Sequence, residues 1–221
     1  MILTTAKFND AVALMQGKRK ADALLEAFRS FAHAQYGIDI LDIEFKGKPG
    51  LKRLNILLSN HADMHKIGAC GADGDEQVRA ELTAEFRRIC EEQKLADYSP
   101  ADKIFISFGD IETEIKARVL EAAKQELQQA KELFPDAAIT QVYAVSNAVH
   151  IFCAQEAQIK ANKQSGIDNA VREYCRNAVA KYDEMQLFVH FLPIYFISEE
   201  MLAEKYENNL FTYLSGVSLH C

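Results

Sequence analysis

Apolar residues recur with two different periods along the chain, and the order of these periods predicts the fold class. Residues 41–46 alternate between apolar and charged side chains, which is typical of a half-buried strand. A return strand around Ile56 follows a glycine-containing turn, so the two segments predict a hairpin with one solvent-exposed face. Apolar residues at helical spacing precede this hairpin, from Phe8 to Phe31, and follow it, from Val78 to Ile89. A short apolar strand at 103–108 completes an α-β-β-α-β unit.

The same order of elements returns in the second half of the chain. The strand around Ile151, the pair Val171-Arg172, the residue Pro193 and the triplet Phe196-Ile197-Ser198 follow their first-half counterparts Ile56, Val78-Arg79, Pro100 and Phe105-Ile106-Ser107 at offsets of about 90 residues. A period of this length indicates a duplicated domain, because solenoid repeats are shorter.

The predicted fold class is therefore α+β, a tandem duplication of an α-β-β-α-β unit, with antiparallel hairpins and helices packed on one face of the sheet. The first copy is predicted to span residues 1–110 and the second 111–221. A helix from Ile111 to Phe134 ends one copy and begins the next. Because no low-complexity linker separates the copies, we expect them to pack closely as one body.

Composition places the chain among globular proteins and restricts the class of partner. Of its 221 residues, 49% are hydrophobic and 26% are charged, which is enough to form a core. The formal net charge is −7, with 32 acidic and 25 basic residues, and more of the excess acid lies after Asp110. Nucleic acid is the less favoured partner, because affinity for it depends on neutralising phosphates. A basic protein partner is favoured by charge complementarity.

Cysteine usage and hydropathy predict a cytoplasmic protein. The five cysteines are odd in number and show no paired spacing, and Cys90 and Cys175 fall on apolar helix faces. Free thiols of this kind indicate a reducing compartment. The first eight residues do not have the pattern of a signal peptide. No apolar run approaches the ~20 residues of a membrane span, so no membrane partner is expected.

One loop-rich segment carries potential metal ligands. His61, Asp63, His65 and Cys70 form the pattern H-x-D-x-H-x4-C, and all four residue types bind zinc or related metals. One hypothesis is therefore a metal-dependent enzyme that uses this segment, and the other interpretation is a polar surface loop. No cofactor is predicted, because the nearby glycines 68, 71 and 74 are not followed by the Lys-Ser/Thr pair of a phosphate-binding loop.

The residues Gly68-Ala69-Cys70-Gly71 form a G-x-x-G motif between two helical segments. With the order of elements in one unit, this motif resembles type II KH domains and the ribosome-maturation family RimP. The resemblance implies that the G-x-x-G loop contacts a nucleic-acid backbone. A KH-like RNA- or ribosome-associated factor would then present a basic face, for which the candidates are Lys46, Lys48, Lys52 and Arg53.

The sequence offers no catalytic constellation. His150 and Cys153 lie three residues apart in one predicted strand, so their side chains point to opposite faces and cannot form a dyad. No G-x-S-x-G motif occurs. Whether the protein is an enzyme therefore stays open at this point, and a non-catalytic role is favoured.

An apolar run before Pro193 distinguishes the second copy from the first. Residues 186–192 are nearly all apolar, whereas the corresponding stretch of the first copy is polar. The run either adds a buried strand or forms an exposed patch for a partner. In the second case Phe188, His190, Phe191 and Tyr195 are the predicted partner-binding residues. The favoured function is a cytosolic protein-binding protein, such as an inhibitor or immunity protein against a basic, toxin-like partner.

Overall fold

A computed structural model describes residues 3–69, 75–145 and 147–218 and confirms the α+β class. The chain divides into two compact units, Met1–Glu114 and Ile115–Cys221. The division falls within the helix that begins at Ile111.

The first unit contains two helices, a hairpin, two further helices and a third strand. Its elements are α1 (Thr5–Met15), α2 (Ala23–Tyr36), β1 (Ile40–Lys48), β2 (Leu51–Leu58), α3 (Ala62–Lys66), α4 (Glu76–Glu92), β3 (Lys103–Asp110) and the start of α5 (Ile111–Gln128). Local chemistry sets the helix ends. Asp22 and Asp75 accept backbone N–H groups at the starts of α2 and α4. Gly37, the C-cap of α2, adopts the left-handed conformation, with φ of 63°.

The second unit repeats the hairpin, the crossover and the third strand. Its elements after α5 are α6 (Ala130–Leu133), a single 3₁₀ turn (Pro135–Ala137), β4 (Ile139–Val145), β5 (Ala148–Cys153), α7 (Glu156–Ser165), α8 (Ile167–Ala180), β6 (Ile194–Ser198), α9 (Glu199–Tyr206) and α10 (Leu210–Ser218). Each unit has a three-stranded sheet in which the hairpin is antiparallel and the third strand lies parallel to the second, so the sheets are mixed.

Three helical segments depart from the simple pattern of apolar residues. The helix expected over 111–134 is interrupted at Gln129, so α6 is separate from α5. The C-terminal helix is divided into α9 and α10, because Glu207 and Asn208 both have positive φ. The polar stretch before α8 is itself a helix, α7, which indicates that the absence of an apolar stripe concealed it.

Strand pairing corrects the alignment of the two copies. Leu58 pairs with Asp110 in the first sheet, and Cys153 pairs with Ser198 in the second, so Ser198 corresponds to Asp110 at an offset of 88 residues. The match of Ser198 with Ser107 was therefore wrong by three residues. Both Asp110 and Ser198 accept a backbone N–H from the first turn of the helix that follows. The shared feature is a helix cap, which two different residue types can provide.

Helices pack on both faces of each sheet, although part of one face of the first sheet stays uncovered, so the prediction of helices on one face only is corrected. In the second unit Arg172 of α8 lies 4.9 Å from the ring of Phe196, while Tyr213 of α10 lies against Phe152 on the opposite face. In the first unit α4 packs on one face. On the other face Asp42 is only 8% exposed, so this face is not uniformly wet. Asp42, which belongs to the hairpin face predicted to be solvent-exposed, is thus buried where α1 approaches β1.

Within the described part of the chain, no helix combines the length and the apolar character that crossing a membrane requires.

Candidate functional site

One face of the first sheet is divided into a covered half and an open half. We call it the Asn55 face, because Asn55 lies at its centre on the middle strand. Side chains alternate along each strand, so the register places four rows of three residues on this face. From the covered end to the open end the rows are Asp42–Leu57–Gly109, Glu44–Asn55–Ser107, Lys46–Arg53–Phe105 and Lys48–Leu51–Lys103.

A hydrogen-bonded row lies in the middle of the Asn55 face. The Asn55 amide donates to the Glu44 carboxylate at 2.8 Å, and the Ser107 hydroxyl donates to the Asn55 oxygen at 2.6 Å. The Lys46 ammonium lies 2.6 Å from the same carboxylate. The pKa of Glu44 is lowered although burial acts against this, because Lys46 and Asn55 stabilise the charged form. These contacts fix the orientation of Lys46 next to the open half.

The open half combines four cations with two exposed apolar side chains. Lys46, Lys48, Arg53 and Lys103 are all exposed. Between them Leu51 is 54% exposed and Phe105 is 56% exposed. A phenylalanine that is exposed near the start of a strand, with cations in its own row and in the next row toward the open end, is a surface for a ligand that is both planar and anionic. We call these six residues the basic-aromatic patch.

The turn that carries the lysines is held in place by two features. Gly47 has φ of 137°, and a Cβ at this position would lie 2.5 Å from the Leu51 carbonyl oxygen, so only glycine fits. The Asp102 carboxylate, 4% exposed, accepts the Gly50 N–H at 2.6 Å and the Ser99 N–H at 3.1 Å. Asp102 therefore ties the turn to the start of β3, which brings Lys103 beside Leu51.

Three of the four predicted basic residues belong to the basic-aromatic patch. Lys46, Lys48 and Arg53 share the Asn55 face. Lys52 lies on the opposite face, where its ammonium is 5.5 Å from the Phe45 ring. Sequence reasoning missed Phe105 and Lys103, because they lie about 50 residues away in the sequence and only strand pairing brings them to the hairpin. The alternation of side chains along β3 places Phe105 on the opposite face from Ile106, and this was the feature of the sequence that could have identified it in a strand interpreted as buried. In the G-x-x-G motif, Cys70 and Gly71 lie outside the described residues.

The corresponding face of the second sheet has a different chemistry, and a helix covers its centre. There the row equivalent to Glu44–Asn55–Ser107 is Tyr143–His150–Tyr195. The fully buried His150 stacks on Tyr195 with ring centroids 5.4 Å apart, and its Nδ1 lies 3.0 Å from the Tyr213 hydroxyl. Tyr213 belongs to α10, so a helix covers the rows of His150 and Phe152, which correspond to the rows of Asn55 and Leu57 in the first sheet.

The predicted metal ligands have different surroundings. Asp63, 1% exposed, accepts the Asp39 N–H and lies 2.7 Å from the Lys66 ammonium, so its oxygens are used within the first unit. His61 Nδ1 is 3.1 Å from Asp110, the residue that caps α5. The rings of His61 and His65 are 5.4 Å apart, and Cys70 lies outside the described residues. Among the residues described, no group of three or more His, Cys, Asp or Glu side chains is arranged to hold a metal ion.

The predicted partner-binding residues separate into buried and exposed members. Phe188 is 8% exposed and belongs to the core, whereas Phe191 is 72% exposed and Tyr195 is 42% exposed. His190 is exposed as well. The run 186–192 is not a strand, because the Asp183 carboxylate accepts the N–H groups of Leu187 and Phe188 and holds the chain in a turn.

The cysteines among the described residues lie in environments that disfavour nucleophilic chemistry. Cys90, Cys153 and Cys175 are free and fully buried. Burial raises the pKa of all three thiols, that of Cys90 to about 11 and that of Cys175 to about 12, so none is a thiolate near neutral pH.

Comparison of the chain with family models, with curated proteins and with solved structures gave no match.

Proposed function

We propose that this chain is a non-catalytic binding protein that binds single-stranded nucleic acid through the basic-aromatic patch. The observation that carries the proposal is the position of Phe105, exposed on the sheet surface with Arg53 beside it on the next strand and Lys103 in the next row. Single strands expose their bases, so an aromatic ring on an open sheet can stack on a base while nearby cations contact the phosphates.

The local charge of the basic-aromatic patch affects phosphate binding more than the acidic net charge of the whole chain. The net charge of −7 is a property of the whole chain, whereas the patch contains four basic residues and no acidic one. Glu44 lies in the adjacent row, and its pairing with Lys46 reduces the contribution of that lysine. Interactions between exposed charges are screened beyond about 8–10 Å at physiological ionic strength, so a bound phosphate responds mainly to the charges next to it.

We expect Phe105→Ala to weaken binding of a 12-nucleotide uridine-rich RNA by about five- to hundredfold, the effect of losing one stacked base. Arg53→Ala should also reduce the slope of log affinity against log salt by about 0.7, because one phosphate contact is lost. Fluorescence anisotropy at several salt concentrations measures both quantities, and DNA of the same sequence distinguishes the two sugars.

The neighbouring residue supplies a matched control. Lys52 is adjacent to Arg53 in the same strand but lies on the opposite face, so Lys52→Ala should leave affinity nearly unchanged. Phe211, 78% exposed in the second unit, is the control for Phe105. Equal effects of Lys52→Ala and Arg53→Ala, or equal binding of polyglutamate, would show a non-specific cation effect and contradict the proposal.

A second candidate function, a protein-binding protein, is supported by the segment before β6. Val189 is 62% exposed and Phe191 is 72% exposed, while Phe188 and Leu192 anchor the same segment in the core. An exposed apolar pair on an anchored turn is suited to a protein interface. The hypothesis of a basic, toxin-like partner gains no support from the position of the charges. Residues 1–114 carry 19 acidic and 15 basic residues, and residues 115–221 carry 13 and 10.

For this second candidate we expect Phe191→Asp to abolish capture of the protein partner from a host lysate. The thermal midpoint should stay within about 2 °C of the wild type, because the side chain is exposed. The matched variant Phe211→Asp should capture the same protein as the wild type. Retention of every captured protein by Phe191→Asp would exclude this surface as the interface.

A further inference from the structure

A cavity of about 390 Å³ lies in the second unit between the end of α8 and the segment before β6. Its apolar lining is formed by Ala180, Phe188, Val189 and Leu192, and its polar lining by Arg176, Asn177, Asp183 and Gln186. A volume in this range accommodates a small ligand or one large side chain of a partner.

The wall of this cavity is preformed. Both oxygens of the Asp183 carboxylate accept backbone N–H groups, at 2.9 Å from Leu187 and 2.7 Å from Phe188. These bonds hold the turn that presents Phe188 to the cavity. They also use both oxygens of the carboxylate, so Asp183 acts as a structural element of the wall. A preorganised wall reduces the conformational entropy lost when a ligand binds.

Arg176 is the charged group of the polar lining with no structural partner in the described part of the chain. It is exposed on α8, and neither an ion pair nor a hydrogen bond joins its guanidinium to the residues described. Its neighbour one turn earlier differs, because Arg172 donates to the Ile194 carbonyl at 2.7 Å and lies over the Phe196 ring. Arg172 therefore stabilises the fold, whereas Arg176 is available to a ligand.

We infer that this cavity binds an amphipathic carboxylate: an apolar group contacts Phe188 and Val189, and its carboxylate pairs with Arg176. A guanidinium matches a carboxylate through two parallel hydrogen bonds, and the apolar wall selects acids with a hydrophobic body. Two sources share this chemistry, a small free acid and the C-terminal residue of a peptide ending in an apolar side chain. The inference is independent of nucleic-acid binding by the first unit.

Titration of the full-length protein with two probes tests the inference. The probes are octanoate and the peptide acetyl-Ala-Ala-Ala-Leu with a free carboxylate, followed by calorimetry or by amide chemical shifts of residues 176–192. We expect saturable binding of at least one probe, and a loss of about tenfold to hundredfold for its amide. Arg176→Gln should reduce affinity to the same extent, and Ala180→Leu should abolish binding by filling the cavity.

The control Lys160→Gln removes an exposed cation from α7 and should leave affinity unchanged. Unchanged thermal midpoints show that each variant is folded. Binding of octanoate alone identifies a free acid as the source, and binding of the peptide alone identifies a chain terminus. Binding of neither probe, equal binding of the amides, or full affinity in Arg176→Gln would overturn the inference.

Discussion

Replacing Phe86 with alanine is expected to lower the free energy of unfolding by about 3–5 kcal/mol. Phe86 is fully buried on α4, and its ring lies 5.7 Å from that of Phe28 and 5.0 Å from that of Phe45. Removing it leaves a cavity between α2, α4 and β1 and eliminates two aromatic pairs, each contributing about 0.5–1.5 kcal/mol beyond burial. Urea unfolding followed by circular dichroism measures the change.

The control for this prediction is Phe105→Ala. The two residues are identical in type, but Phe105 is 56% exposed, so its removal should change the free energy of unfolding by less than about 0.5 kcal/mol. The pair therefore separates stability from binding: Phe86→Ala should destabilise the fold, and Phe105→Ala should affect only affinity for RNA. A loss above 2 kcal/mol in Phe105→Ala would contradict the open face on which the proposed function depends.

Stability is also expected to fall as the pH decreases from 6.5 toward 4, because of His150. Burial lowers the pKa of His150 from 6.5 to about 4, so the native state keeps the ring neutral while the unfolded chain protonates it. The stabilising contribution is complete above pH 6.5 and is lost progressively as the pH falls through this window. It amounts to about 3 kcal/mol at most.

The rings next to His150 belong to tyrosines, which cannot stabilise a protonated imidazole as a carboxylate would. They are Tyr143, Tyr195 and Tyr213, and burial raises the pKa of Tyr213 to about 12. Among groups with shifted pKa values, Glu44, Asp63, Glu81 and Glu85 have lowered ones, so their stabilising effect is lost only below their unfolded values of 3.8–4.5. The raised pKa of Asp42 acts in the opposite sense.

A double variant isolates the histidine. His150→Phe combined with Tyr213→Phe removes the titrating ring and its hydroxyl partner together, so neither is left buried without a hydrogen bond. The dependence of unfolding free energy on pH between 6.5 and 4.5 should then largely disappear. The same slope in the double variant and the wild type would assign the effect to another group.

The sequence by itself determined the local elements and the fold class. Period-two and helical patterns located the six strands and most helices of the described residues, and caps such as Asp75 and Gly37 set helix ends through contacts within a few residues. Such features depend on bonds between near neighbours in the chain, which a single sequence displays directly. The pattern failed to predict α7, which has no apolar stripe, and it did not predict that the Phe105 side chain is exposed.

Only the tertiary structure decided which residues share a surface. Lys46 and Arg53 meet Phe105 because β2 pairs in parallel with β3, and a shift of one residue would turn Phe105 to the other face. The covering of His150 by α10 and the cavity beside Arg176 likewise depend on contacts between segments distant in sequence. Such contacts result from the packing of complete elements, which a single sequence does not display. The opposite faces of Lys52 and Arg53, by contrast, follow from the alternation of side chains along β2.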